Sequence, residues 1–165
     1  MANTLSEFID YFRQLAGQHV DLQGFAHGAA GRIIAGSRKT LKYPLLWLET
    51  PTLTLSDKDG TAPYGQRHAA FVVLTSASLT DYNEQDAAWA STERLALDVL
   101  SYLRRDKKAR RFGFSLDGTT LEAVQVMSQA GEIGWRFEFS LGDFVPLPFD
   151  ATRWRQQEGG AKHGL

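Results

Sequence analysis

The sequence predicts an α+β fold in which two helices pack on a mainly antiparallel sheet that closes with a C-terminal β-hairpin. One run alternates strictly between apolar and polar residues, as expected of a half-buried strand, and its apolar members are Trp135, Phe137, Phe139 and Leu141. A second alternating run, 121–128, precedes it across a short turn, so the two form an antiparallel hairpin at one rim of the sheet. A long apolar stripe within 84–105 predicts the main helix.

The first helix begins with a capping signal. Thr4 and Glu7 have the spacing of a capping box, and apolar residues then recur at helical intervals to Ala16. Gly17 is predicted to end this helix.

The main helix has the same kind of start. Asp81 and Glu84 stand at capping distance, and the stripe that follows predicts the face that covers the sheet. The stripe consists of Trp89, Thr92, Leu95, Ala96, Val99 and Leu103. It runs to Arg104 and Arg105, whose positive charge suits a helix C-terminus.

The remaining strands follow from composition. Segment 43–55 predicts one long strand bent at Pro51, and 66–76, apolar on both sides, predicts a central strand. The alternation of 112–116 predicts a further strand. The Gly/Ala-rich segment 24–36 has neither period and is predicted to be an irregular loop or a close-packed crossing.

Composition favours one domain over two. The chain has 165 residues, 43% of them hydrophobic, which predicts a single α+β domain over 1–149 and a polar tail over 150–165. The net charge of −1 gives no overall field for nucleic acid or membrane. The absence of cysteine excludes disulfides, thiol nucleophiles and cysteine-ligated metals. No leader pattern and no long apolar run occur, so we expect a soluble, non-exported protein.

No catalytic motif is present. Segment 31–38 has the glycine spacing of a phosphate loop, but Ser37 stands where the lysine should be. The carboxylates are scattered in the sequence, and the histidines lack metal-ligand spacing: His19, His27, His68 and His163. No nucleophile elbow occurs, although a Ser/His/Asp assembly formed only in the fold stays open. We therefore expect no enzyme and assign no catalytic, cofactor or metal residue.

Positive charge is concentrated in 104–111, where six of eight residues are basic. Such a patch suits phosphates or an acidic protein surface, and a solvated helix end is the alternative. No aromatic residues interleave with the charges, so sequence-specific nucleic-acid recognition is not expected.

The order of elements resembles the tail-terminator (tail-completion) proteins of tailed bacteriophages and contractile injection particles. The resemblance rests on the opening helix 4–16, the strand pair 45–55 and 69–76, the helix 84–105, and the hairpin ending Gly134-Trp135-Arg136-Phe137-Glu138-Phe139. The long segment 18–43 between the first helix and the first strand departs from the family pattern.

The resemblance implies a structural protein without catalytic residues or cofactors. Its subunits would form a homo-oligomeric ring, commonly a hexamer, that caps the tail tube and joins it to neck, sheath or head proteins. It would occur in the host cytoplasm during assembly and then in the virion tail or injection particle. The expected interface residues are Asp57, Lys58, Asp59, Arg104, Arg105, Lys107, Lys108, Arg110 and Arg111. The alternatives are a monomeric ligand-binding or enzymatic α+β domain and a small prophage-encoded adaptor.

Overall fold

The computed structural model describes residues 4–29, 41–57, 63–109, 111–125 and 131–155. Within them the helices are α1 (Leu5–Gln18) and α2 (Tyr82–Lys108), and a short 3₁₀ turn spans Ala151–Arg153. The strands are β1 (Gly24–His27), β2 (Leu45–Leu48), β3 (Thr52–Ser56), β4 (Tyr64–Ser76), β5 (Leu121–Gln125) and β6 (Glu132–Phe144). Neither of these helices is long and apolar enough to cross a membrane.

The strands form one mixed sheet in the order β1-β2-β4-β6-β5, and β3 pairs with β4 beyond the end of β2. Only the β1–β2 pairing among these strands is parallel. The long strands β4 and β6 pair along all 13 residues of each. The predicted α+β class, with a mainly antiparallel sheet, two helices and a closing hairpin, is therefore confirmed.

Both helices begin where the sequence predicts. The hydroxyl of Thr4 accepts from the amide of Glu7, and the Glu7 carboxylate accepts from the amide of Thr4, completing the capping box. The carboxylate of Asp81 caps α2 by accepting from two first-turn amides. Gly17 was predicted to end α1, but the helix continues to Gln18 and His19 is its C-cap. Nothing at this position requires the conformational freedom of glycine, so the helix passes through it.

The main core lies between the helices and one face of the sheet. Helix α1 packs over β1 and β2, and α2 packs over β4 and β6. Phe71, Phe137 and Phe139 form a row of rings with centroids 5.5–6.4 Å apart, and Phe12 of α1 lies 5.3 Å from Phe139. Since each of these rings is at most 4% exposed, this layer is the hydrophobic centre of the fold.

The other face of the sheet is covered only in part. A second apolar cluster contains Leu45, Trp47, Val72 and Leu74, and Tyr43 packs against it. Trp47 donates its indole N–H to the carbonyl of Gly28 at 2.8 Å, which satisfies the one polar atom of that side chain. Strand β4 is thus buried on both faces along this stretch, as its sequence predicts.

Segment 43–55 contains two strands, β2 and β3, where one bent strand was predicted. Both pair with β4, and the register shifts by one residue between Leu48↔Phe71 and Thr52↔His68. The break falls at Pro51, whose missing amide interrupts the ladder.

Two predictions about irregular segments are wrong. Residues 24–27, predicted as loop, form β1, because Phe25 packs on the core and β2 supplies a parallel partner. Residues 30–36 of the same predicted loop lie outside the described part of the chain. The 112–116 strand is absent as a ladder, and only Gly113 bridges to Gly142. Its alternation is nevertheless real, because Phe112 and Phe114 are buried in the core.

Candidate functional site

A cluster of charged side chains occupies the sheet face opposite the helices. Arg136 of β6 donates to both carboxylate oxygens of Glu49, at 2.7 and 3.0 Å. It also donates to Glu138 at 2.7 Å, and Glu122 of β5 lies 3.9 Å from the same guanidinium. The sequence places these carboxylates on a wet face but does not show that they converge. The cross-strand pair Glu122↔Arg136 brings them together, so the expectation of scattered carboxylates is corrected.

The electrostatics of this cluster are set by one cation. The hydrogen bonds to Glu49 are the main cause of the raised pKa of Arg136. Burial of the guanidinium opposes this increase in part, and the hydrogen bond to Glu138 adds to it. The guanidinium therefore stays charged at any physiological pH. One guanidinium among three carboxylates leaves a formal excess of two negative charges on this face.

The acidic cluster forms one end of a groove of about 860 Å³, here called the sheet groove. Its floor is the polar face of β4 and β6, and segment 113–120 forms a wall beside the edge of β6. Tyr64 lines the other end, where its hydroxyl lies over Gly142. A Cβ on Gly142 would collide with that hydroxyl, so glycine is required for the ring to cross the sheet there.

A histidine and a serine meet on the groove floor. The Nδ1 atom of His68 lies 2.7 Å from the Oγ atom of Ser140, its cross-strand neighbour. Neither the acidic cluster nor any other described carboxylate hydrogen-bonds to His68. Ser140 also lies within a strand rather than at a strand-to-helix turn. The pair thus lacks the oriented base of a nucleophilic triad.

The basic run 104–111 is organised around a buried acid that the sequence analysis overlooked. Asp106 is 2% exposed and accepts from the Tyr11 hydroxyl at 3.0 Å. Arg105 donates to it twice, at 3.0 and 3.1 Å, and stacks on Tyr102 at 3.8 Å. Arg111 lies 3.5 Å from the second carboxylate oxygen. Two of the predicted interface cations are thus engaged within their own subunit.

The other predicted interface residues are only partly described. Arg104, Lys107 and Lys108 are exposed on the last turns of α2, and Lys107 also lines the sheet groove. Asp57 is exposed directly after β3. The predicted positions Lys58, Asp59 and Arg110 lie outside the described residues.

Large apolar side chains are exposed at one end of the sheet, here called the uncovered end. It comprises β3 with the paired ends of β4 and β6, and its exposed residues are Leu53, Leu55, Tyr64 and Phe144. The rings of Tyr64 and Phe144 pack edge to face with centroids 5.9 Å apart, and Phe144 is 62% exposed. The sequence marks this end by a break in the alternation of β6: Asp143 occupies the phase of the buried residues, and Phe144 occupies the phase of the polar ones.

The described part of the C-terminal segment follows β6 and also exposes large apolar side chains. Residues 146–155, here called the C-terminal arm, expose Leu147, Phe149 and Trp154, the last two at 77% and 66%. Phe149 and Trp154 stack on each other with ring centroids 6.0 Å apart. Leu147 and Phe149 lie at the end of the predicted domain, and Trp154 lies within the predicted polar tail, which begins at residue 150.

Comparisons with known proteins add no assignment. No protein-family model matches the chain, and no curated protein matches it significantly. Within the described ranges, no group of three or more His, Asp or Glu residues has the arrangement of a metal site.

Proposed function

We propose that this protein is a structural assembly subunit that resembles a tail terminator: it forms a ring that caps a tail tube and connects it to the neck or head. The observation that carries the proposal is the exposed apolar surface of the uncovered end and the C-terminal arm. The order of elements that resembles the family is supported by the α+β architecture described above.

Single exposed apolar residues are ordinary, but several large ones on neighbouring strand ends and on the segment that follows them favour a protein interface. Here the group includes three aromatic side chains, Phe144, Phe149 and Trp154, each at least 62% exposed. Aromatic residues of this kind dominate the energetics of subunit contacts. A ring subunit needs such a surface and needs no catalytic centre, because its function is association.

The exposed cations at the end of α2 suit a second contact, with the tube or a neighbouring subunit. Asp106 fixes the helix end by binding Tyr11 and Arg105, so Arg104, Lys107 and Lys108 are presented from a defined backbone. Fixed charges that complement an acidic partner contribute to orientation and association rate.

A ligand-binding or enzymatic monomer has less support. The sheet groove is open, its lining is polar, and its His68–Ser140 pair has no orienting carboxylate among the described residues. Small-molecule sites are typically enclosed and mainly apolar with a few convergent polar groups. A small prophage-encoded adaptor is a further alternative. It would form a discrete dimer or a heterocomplex, so the number of copies in the assembly distinguishes it from a ring.

Light scattering of the purified protein over a range of concentrations, with negative-stain images of the same sample, tests the proposal. We expect a discrete closed oligomer and annular particles. A strict monomer at every concentration, or a simple dimer, would count against the ring.

A further inference from the structure

The C-terminal arm contacts little besides itself. Its hydrogen bonds with described residues are internal: Asp150 accepts from the amide and the hydroxyl of Thr152 at 3.0 and 2.6 Å. Its ion pair, Arg153 to Asp150 at 3.1 Å, is internal as well. Its ring pair, Phe149 with Trp154, is also internal. Among the described residues, the hydrogen bond that ties this part of the chain to the sheet lies directly before the arm, where the amide of Val145 donates to the carbonyl of Pro63 at 2.8 Å.

The arm is also basic at its end. Arg153 is 82% exposed and Arg155 is exposed beside it. Aromatic and basic side chains are thus presented together on a short segment that begins with two prolines, Pro146 and Pro148, and contains the 3₁₀ turn Ala151–Arg153. Such a segment loses little backbone entropy on binding, since proline already restricts it.

The sheet groove has the complementary character. Glu122 and Glu138 are 60% and 72% exposed around Arg136, which fixes them without neutralising both. The exposed ring of Phe144 stands beside Tyr64, which lines the opposite end of the groove. An acidic end and an aromatic end are therefore separated by six residues of β6, about 20 Å at the rise of a strand.

We propose, resting on the ring function proposed above, that the C-terminal arm of one copy lies in the sheet groove of a second copy. Arg153 and Arg155 pair with Glu122 and Glu138 of the receiving copy, and the stacked rings of Phe149 and Trp154 pack on the groove floor between these carboxylates and Tyr64. Each copy donates one arm and receives one, which is the head-to-tail contact that closes a ring.

Complementary charge reversal tests the contact. The arm variant is Arg153→Glu with Arg155→Glu, and the groove variant is Glu122→Arg with Glu138→Arg. All four side chains are exposed, so the fold is expected to persist in both variants. Each variant alone should lose the wild-type oligomer in light scattering. An equimolar mixture should regain it, because the reversed arm then meets a reversed groove.

The matched control is Arg13→Glu with Arg94→Glu, an equal charge change on exposed helix arginines, which should leave the oligomer intact. Circular dichroism confirms folding, and the milder Arg153→Gln with Arg155→Gln should weaken assembly in a salt-dependent way.

An oligomer that survives both reversals, or a mixture that stays dissociated, would overturn the arm exchange while leaving the ring proposal intact. A wild-type protein that never assembles would overturn both proposals.

Discussion

Strands β4 and β6 are paired in one register throughout, yet their two ends have opposite environments. At the covered end, Phe71 and Phe137 are at most 2% exposed beneath the helices. At the uncovered end, Tyr64 and Phe144 form a cross-strand aromatic pair exposed at 40% and 62%. This pair lies on the opposite face of the sheet, because side chains alternate along a strand and each residue is seven positions from its counterpart. The backbone pairing is the same in both places, and only the face of Phe71 and Phe137 is covered by the helices.

That contrast separates two roles along one pair of strands. Burial of apolar surface against α1 and α2 supplies folding stability at the covered end. Tyr64 and Phe144 at the uncovered end stay largely in water in the isolated subunit, so they contribute less to its folding stability. We infer that their burial occurs on association, which is the basis of the proposed ring.

The largest expected loss of stability follows from a substitution at the covered end. Phe71→Ala should destabilise the fold by about 3–5 kcal/mol, because it removes a fully buried ring from the aromatic row. Phe144→Ala, the same chemical change at the uncovered end, should lower the unfolding free energy of the dissociated subunit by no more than about 1 kcal/mol, so both variants are compared at a concentration at which light scattering shows monomers. Urea unfolding of both variants measures the difference, and equal losses would remove the distinction between the two ends.

Buried and exposed carboxylates give the next comparison. Asp106→Asn should lower the free energy of unfolding by about 1–3 kcal/mol. Asp106 is only 2% exposed, and the neutral amide would lose the charged hydrogen bonds from Arg105 and accept a weaker one from Tyr11. Glu138→Gln, on the exposed groove floor, should change stability by no more than about 0.5 kcal/mol. Thermal or urea unfolding provides the readout. A loss of unfolding free energy in Glu138→Gln as large as that in Asp106→Asn would show that the acidic cluster stabilises the fold.

Tyr11 makes the stability of the folded state sensitive to alkaline pH. Burial, followed by the hydrogen bond to Asp106, raises the pKa of Tyr11 above its ordinary value. The folded state therefore favours the protonated phenol, and its contribution to stability is complete below the unfolded pKa of about 10 and is lost as pH rises above it. The loss approaches about 1.4 kcal/mol per pH unit.

Tyr11→Phe removes this titration. Urea unfolding between pH 9 and 11 should therefore show a shallower decline for the variant than for the wild type. Parallel declines would show that Tyr11 does not contribute to the alkaline instability.

The smallest effect concerns a local signal. Thr4→Ala should destabilise α1 by about 1 kcal/mol, because the variant loses the hydroxyl that accepts from the amide of Glu7. The oligomeric state should be unchanged, since the cap lies outside the groove and the arm. A native mass that changed with this variant would place α1 in the subunit contact.

Much of the fold was predictable because its signals are local. The capping residues Thr4 and Asp81 mark the helix starts, and the alternation around Trp135 marks β6. Strand β1 was missed because its conformation depends on pairing with β2, and Gly24 gives no local signal for a strand. The strand predicted over 112–116 was wrong for a different reason. Its alternation correctly indicates that Phe112 is buried, but a strand also needs a pairing partner, which the sequence does not show.

The candidate site was much less predictable. Glu122 and Glu138 lie on β5 and β6, Glu49 directly follows β2, and only the sheet register brings them to Arg136. The buried Asp106 was hidden in a run whose composition indicates a solvated basic surface. Long-range arrangement, rather than residue type, determines both features.

The most direct test of the account combines native mass and stability in the variant Phe149→Ser with Trp154→Ser. Both rings are exposed and stack only on each other among described contacts, so the variant should keep the circular dichroism spectrum of the folded wild type. We predict that the wild type is a closed oligomer by light scattering and that the variant is a folded monomer, with a lower thermal midpoint because it lacks the stabilisation that association supplies. An unchanged oligomer, or a monomeric wild type, would contradict the claim that the uncovered surface is the assembly surface.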